Sequence, residues 1–282
     1  DGLTTPEGDR RAAAFTPRPS DVIIATYPKS GTTWMQQIVY GLRTDGSMDF
    51  AEITQAVPWI ELAHDLGHDL NADQGGPPRA FKSHKNGDEI QQGCRYIAVI
   101  RDPADVAMSF FHFFSGWYFE PGDISLNLFI RDFFLSGSNS GRYWPHLISW
   151  WKRRADENTL LLCYEDIKAD LPSTVRRVAG FLGMADRKSA IDIAIQQARI
   201  GFMRDHGRQF DDHLIHDARD AASGLPPGTK TSKLGPSSDR ETLTPALRTL
   251  LDQVWRDEIK SVFGFASYAD MRAALAANVL KE

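Results

Sequence analysis

An apolar, β-branched run, Asp21-Val22-Ile23-Ile24-Ala25-Thr26, ends at the loop Tyr27-Pro28-Lys29-Ser30-Gly31-Thr32-Thr33, and Trp34-Met35-Gln36-Gln37-Ile38-Val39-Tyr40 follows with apolar residues at helical spacing. The pattern predicts strand, loop and helix. This order constrains the chain more than any other feature, because it builds an anion site from backbone. The loop amides and the unsatisfied N–H groups of the first helical turn converge at the positive end of the helix dipole. Lys29 adds a cation, and Ser30, Thr32 and Thr33 add hydroxyls around Gly31. Such a loop takes a phosphate or a sulfate. In a Walker A loop a Gly-rich run ends Gly-Lys-Ser/Thr and the hydroxyl holds Mg²⁺. Here Lys29 precedes Gly31 and no glycine stands earlier in the loop, so the order speaks against a P-loop kinase.

Composition narrows the partners. At 282 residues an α/β chain is often one domain, and 42% hydrophobic with 24% charged residues is ordinary for a globular one. A net charge of −5 argues against a nucleic-acid partner, so any cationic site must be local. Cys94 and Cys163 lie at or within apolar, strand-like runs without metal-ligand spacing and read as buried thiols in a reducing compartment. There is no charged segment leading into an apolar run of signal-peptide type and no stretch of about 18 apolar residues. The expectation is a soluble, cytoplasmic protein with no membrane partner.

Residues 1–20, rich in Pro, Ala and charge and without periodicity, read as an N-terminal arm, and residues 21–282 as the domain. Strands alternate with helices and no repeat appears, which predicts an α/β fold, a single domain whose central parallel sheet is flanked by helices. Arg79–His84 is a short strand leaving the Gly/Pro-rich loop 71–78; alternation puts Lys82 and His84 on one face, with Cα atoms about 6.5–7 Å apart. Alone, a histidine at a strand end more often serves a structural role than a catalytic one, and His112 and His146 are other candidate bases. Arg95–Ile100 is a second strand. It ends at Arg101, and Asp102 as N-cap, Pro103 at the first position and Asp105 in a capping-box role start a helix carrying Ser109 about two turns on. That helix continues through Phe110, Phe111, Phe113 and Phe114 towards Trp117, Tyr118 and Phe119. Core stripe and wall of an apolar acceptor pocket are both open for this stretch and for Trp59. Thr159–Tyr164 is a third strand, Leu171–Leu182 and Ser189–Arg199 are helices, and residues 244–263 form the final helix.

Tyr27 to Trp34 resembles, at all eight positions, the Tyr-Pro-Lys-Ser-Gly-Thr-Thr-Trp phosphosulfate-binding loop of the cytosolic-type sulfotransferases, a P-loop-like element. Lys82-Ser83-His84 resembles the family's Lys-Thr-His, whose histidine is the catalytic base. Arg101-Asp102-Pro103-Ala104-Asp105 with Ser109 is similar to Arg-Asn-Pro-x-Asp-x-x-x-Ser, whose Arg and Ser hold the 3′-phosphate of the sulfate donor. Tyr164-Glu165-Asp166 matches Tyr-Glu-Asp, whose tyrosine contacts the adenine end. The resemblance spans about residues 15 to 265 and thins in the last third, where Lys230 or Lys233 would supply the charge of the family's Arg-Lys-Gly loop. The family's dimerisation stretch would fall at Arg240–Thr249, where Pro245 and Thr249 depart from it.

The resemblance implies transfer of a sulfuryl group from 3′-phosphoadenylyl sulfate (PAPS), leaving 3′,5′-ADP (PAP), to a hydroxyl of a small, apolar phenol or alcohol, with no metal required. It makes Lys29, Lys82, His84 and Ser109 the catalytic candidates. Lys29, Ser30, Gly31, Thr32, Thr33, Trp34, Arg101, Ser109, Tyr164 and Lys233 would bind the donor, with Trp34 against its adenine. Trp59, Phe81, Phe113 and Trp117 are the candidates for acceptor contact. The rival readings are a PAP-binding protein without catalysis and a P-loop kinase. A sulfated acceptor that then eliminates would make the net reaction a dehydration, which the sequence does not separate from plain transfer.

Overall fold

Four short runs, apolar for most of their length and buried on both faces, assemble into one parallel sheet in the order β2-β1-β3-β4: β1 (Val22–Thr26), β2 (Ala80–Ser83), β3 (Arg95–Ile100) and β4 (Thr159–Cys163). The structure, a computed structural model, describes residues 4–115, 118–119, 122–137, 141–217 and 242–279. Register pairs Ile24 with Lys82 and Ile97, and Val99 with Leu162, so the four strands end almost level. The chain leaves β1 for β2 on one side and then returns to β3 on the other. The C-terminal end of β1 is therefore the point where strand order reverses, the usual ligand crevice of an open α/β sheet.

Alternation sends successive residues into two cores. Ile23, Ala25, Tyr96, Ala98, Ile100 and Leu161 face one, while Val22, Ile24, Ile97, Val99, Leu160 and Leu162 face the other. The second core is closed by α2 (Thr32–Arg43), α6 (Leu171–Phe181) and α7 (Lys188–Gln197), which supply Met35, Ile38, Val175, Val178 and Ala194. The first is closed by α1 (Pro6–Ala14), α3 (Pro103–Phe114), α4 (Tyr143–Lys152), α8 (Pro245–Trp255) and α9 (Tyr268–Val279). The remaining labelled helix, α5 (Tyr164–Ala169), starts directly at the end of β4. Both cysteines are buried and unpaired.

Three expectations change. Residues 6–14 are a helix rather than an unpatterned arm: Thr5 caps it, accepting from the Gly8 amide, Pro6 opens it, and Ala12 with Phe15 enters the core. Its buried face is too short for periodicity to reveal. The aromatic helix stops at Phe114, and Ser115 pairs with Phe119 in an isolated bridge instead of continuing it. Helix α9 lies beyond the helix read as final, separated from it by the left-handed Gly264. Trp117, Lys230 and Lys233 lie outside the described residues.

At the opposite end of the sheet, Arg79 and Asp21 form a buried bidentate pair, with Nε–Oδ1 3.1 Å and Nη2–Oδ2 2.6 Å, and the Leu70 carbonyl accepts from Nη1 at 2.8 Å. Removing one member leaves the other charge buried, which costs about 3–5 kcal/mol. Arg79→Met is expected to lose that much stability in urea unfolding; a loss under about 1 kcal/mol would show the pair to be dispensable.

Candidate functional site

The loop after β1 is bent by two left-handed residues, Lys29 (φ 69°) and Gly31 (φ 101°). Gly31 is required twice, by its φ and because a Cβ there would stand 3.0 Å from the Tyr164 ring. Lys29 is not glycine, and its conformation is held from outside: its carbonyl accepts from Arg101 Nη1 at 2.8 Å. Its ammonium lies 4.1 Å above the Phe113 ring. Ser30 donates its amide to the Tyr27 carbonyl at 3.1 Å, and its hydroxyl is buried without a hydrogen-bond partner among the described residues. Thr32, the first residue of α2, shares a hydrogen bond with Thr26, so its hydroxyl ties the loop to the strand instead of standing open to a ligand.

Beside the loop, Lys82 and His84 do share a face, and Trp59 lies against both. The Lys82 ammonium sits 4.3 Å from the centre of the Trp59 ring, and the His84 ring meets Trp59 edge-on at 4.8 Å. The Pro58 carbonyl accepts from the Lys82 amide at 2.8 Å, which lays the Trp59 segment along the free edge of β2. His84 Nδ1 is 2.7 Å from the carbonyl of Thr26, the last residue of β1. A carbonyl can only accept, so Nδ1 carries the proton and Nε2 keeps its lone pair. Burial, with Lys82 nearby, pushes the imidazole down to about 3. The neutral ring is thus the resting form, and the near-neutral value that suits a general base is not found in this environment. Phe81 points the other way, fully buried against Phe15 with ring centres 5.0 Å apart, so it packs the core and does not line the site.

Arg101 follows β3 and reaches over the end of β1. Its guanidinium stacks 4.2 Å from the Tyr164 ring, and Nη2 lies 3.9 Å from Asp105. Asp102 caps α3 as the sequence predicts, accepting from the amides of Ala104 and Asp105; Asp105 is turned to Arg101 instead of completing a capping box. Ser109 is half-buried on α3, one turn before Phe113. Tyr164 meets Trp34 edge-on at 5.5 Å, and the Trp34 indole N–H donates to the Ala198 carbonyl at 2.7 Å. Lys29, His84, Arg101 and Tyr164, from four segments, therefore stand just past the ends of four strands at one edge of the sheet.

The family model of the sulfotransferase domain matches residues 19–279. Human sulfotransferase 1E1 is 30% identical over 203 residues, 68% of this chain and 69% of that protein. The chain belongs to the sulfotransferase family. Two solved structures share the fold: mouse sulfotransferase SULT7A1 complexed with PAP (TM-score 0.70, 20% identity, 98% of this chain and 95% of that one) and a retinol dehydratase in complex with androsterone and PAP (TM-score 0.65, 22% identity, 86% and 81%).

Two neighbours of His84 carry no motif. Asp212, buried and left-handed at φ 57°, and His146, fully buried on α4, are both within electrostatic reach of the ring. Asp212 comes from a segment fixed by Gln209, whose amide donates to the Met48 and Phe50 carbonyls. The sequence offers no signal for it beyond the turn-favouring Asp211-Asp212 pair. No group of three or more metal-ligating side chains occurs among the described residues, and no helix among them is long and apolar enough to cross a membrane.

The histidines set an acid limit. Burial pushes His146, like His84, down to about 3, whereas both titrate near 6.5 in the unfolded chain. Between those values the unfolded chain binds two more protons, so the stability present above pH 6.5 falls as pH drops, by about 2.7 kcal/mol per pH unit for the pair. Glu61 and Asp102, pushed upward by burial, act in the opposite sense, so the difference between two variants is the clean readout. Over pH 6 to 5, His146→Gln is expected to lose stability about 1.4 kcal/mol per pH unit less steeply than wild type; equal slopes would mean that His146 is not held neutral.

Proposed function

We propose that the chain transfers a sulfuryl group from PAPS to the hydroxyl of a small, apolar phenol or alcohol. The observation that carries this reading is the convergence of Lys29, His84, Arg101 and Tyr164 at one sheet edge around a loop built for an anion. Family membership supplies the class of chemistry, and the PAP complexes of the structural relatives support the donor.

In this reading the loop amides, that of Thr32 included, bind the sulfate-bearing end of the donor together with the Ser30 and Thr33 hydroxyls, Arg101 and Ser109 take the 3′-phosphate, and Tyr164 with Trp34 borders the adenine. Lys233 would lend further charge. Arg suits the phosphate because its fork makes paired hydrogen bonds to oxygen. In transfer, the acceptor oxygen bonds to sulfur as the bond between sulfur and the bridging oxygen breaks. That oxygen leaves with the electron pair on the 5′-phosphate of PAP, and His84 Nε2 takes the acceptor's proton. Positioning and charge neutralisation dominate such steps. Lys29, Lys82 and the loop amides would neutralise the charge developing on the transferred group and on the leaving phosphate, so the scheme invokes no metal. Burial holds His84 down most and Lys82 adds to it; an anionic donor beside Lys82 would offset the Lys82 part and make the ring a better base when the site is loaded.

An apolar acceptor is supported by Trp59 against His84, by Phe113 beneath Lys29, and by a cavity of about 500 Å³ lined chiefly by Phe114, which follows Phe113, with Phe119, Ile124, Phe129 and Phe133. Trp117 belongs to the same stretch. Androsterone, held by one structural relative, is a small apolar alcohol of this kind.

Thermal unfolding tests the donor. At about one hundred times its Kd, a ligand bound only to the folded state adds about 2.7 kcal/mol of stability. PAP is expected to raise Tm and ATP with Mg²⁺ to leave it unchanged; a shift with ATP and Mg²⁺ alone would sink the sulfotransferase reading. The base is tested separately. His84→Ala should abolish sulfation of a model phenol, at least about 10²-fold, while PAP binds as before; substantial residual turnover would assign the proton to another group.

A further inference from the structure

The peptide unit joining Arg101 to Asp102 is gripped at both ends. Its carbonyl accepts from the Tyr143 hydroxyl, and its N–H donates to Glu165 Oε1 at 3.0 Å. The other carboxylate oxygen of Glu165 accepts from the hydroxyl of Tyr268, the first residue of α9, at 2.6 Å. One turn later Arg272 reaches Asp166 through Nε at 2.7 Å and Nη2 at 2.6 Å. Glu165 and Asp166 directly follow Tyr164, whose ring carries the Arg101 guanidinium. A helix distant in sequence thus holds both the backbone that aims Arg101 and the turn that presents its stacking partner.

We propose that α9 latches the donor site: Tyr268, through Glu165, and to a smaller degree Arg272, through Asp166, fix Arg101 and Tyr164 at the spacing needed by the 3′-phosphoadenosine end of the donor. This inference rests on the donor assignment made above. Tyr268 and Arg272 act through other side chains and are positioning residues. Burial keeps the Tyr268 hydroxyl protonated far above its ordinary range, so it is a permanent donor to Glu165. The Arg272 and Asp166 side chains are 37% and 46% exposed, so solvent screens their pair and Tyr268 carries most of the effect. Coupling is reciprocal, so a ligand that needs Arg101 in place must also tighten α9.

The test is calorimetric titration of PAP into wild type, Tyr268→Phe, Glu165→Gln and the double variant, alongside steady-state kinetics. Tyr268→Phe is expected to weaken PAP about tenfold and to raise KM for PAPS equally, with kcat within about twofold. Adding it to Glu165→Gln should cost less than about twofold more, because the two act in series. Arg272→Ala should weaken PAP less than about threefold. PAP affinity within about twofold of wild type in Tyr268→Phe would overturn the latch, even if Tm falls, since a merely structural contact would lower Tm alone. Hydrogen exchange on the wild-type chain gives a readout independent of variant folding: PAP should slow exchange across residues 268–279, and unchanged exchange with PAP bound would overturn it too. Failure of wild type to bind PAP is a different result, seen before any variant is made, and removes the donor assignment together with this inference.

Discussion

In a sheet whose strands all run one way, each strand delivers the residue after it to the same edge, and here the four deliveries are Tyr27, His84, Arg101 and Tyr164. The rest of the site is a set of bonds between those endings. The Thr26 carbonyl orients His84, the Lys29 carbonyl receives Arg101, and Arg101 lies on Tyr164. None of these contacts involves neighbours in sequence. Backbone carbonyls at strand ends, left over when the ladder stops, are the natural acceptors. The site is therefore built from unfinished hydrogen bonding of the sheet itself, which ties its geometry to the register of β1 with its two neighbours.

Charge is distributed with the same economy. The chain is net negative, yet Lys29, Lys82 and Arg101 collect around one loop, and all three rest on aromatic rings, those of Phe113, Trp59 and Tyr164. An aromatic face attracts a cation without neutralising it. Carboxylates at those places would have quenched the positive field; Phe113, Trp59 and Tyr164 leave it available to an anion. Burial, with Lys82 adding to it, is what depresses His84, so one of the cations that suits the site to an anion also helps to keep the resting imidazole neutral.

The legible parts of the sequence were those set by local rules. Strand alternation, the Asp102-Pro103 helix start and the Lys29-to-Thr33 loop depend on near neighbours, and each stands where it was expected. Phe81 belongs to the core because the alternation that puts Lys82 and His84 on one face puts Phe81 on the other, against Phe15. The roles of Glu165, Tyr268 and Asp212 were hidden. A carboxylate receiving a hydroxyl from 103 residues away leaves no periodicity and no spacing to count. Helix α1 escaped notice because only one turn's worth of small residues faces inward.

The two cores flanking the sheet draw on different lengths of chain. Among the described residues, one is made from those between Val22 and Phe210; the other needs Ala12 and Phe15 early in the sequence and Leu247 to Leu275 late in it. On a ribosome, where the chain emerges from its N-terminus, these layers cannot close together. The layer backed by α2, α6 and α7 draws on no described residue beyond Phe210, so it can close once that residue has left the ribosome. The aromatic layer stays open until α8 and α9 arrive, leaving Trp144, Trp150 and their neighbours as the surface a nascent chain must keep from sticking to others.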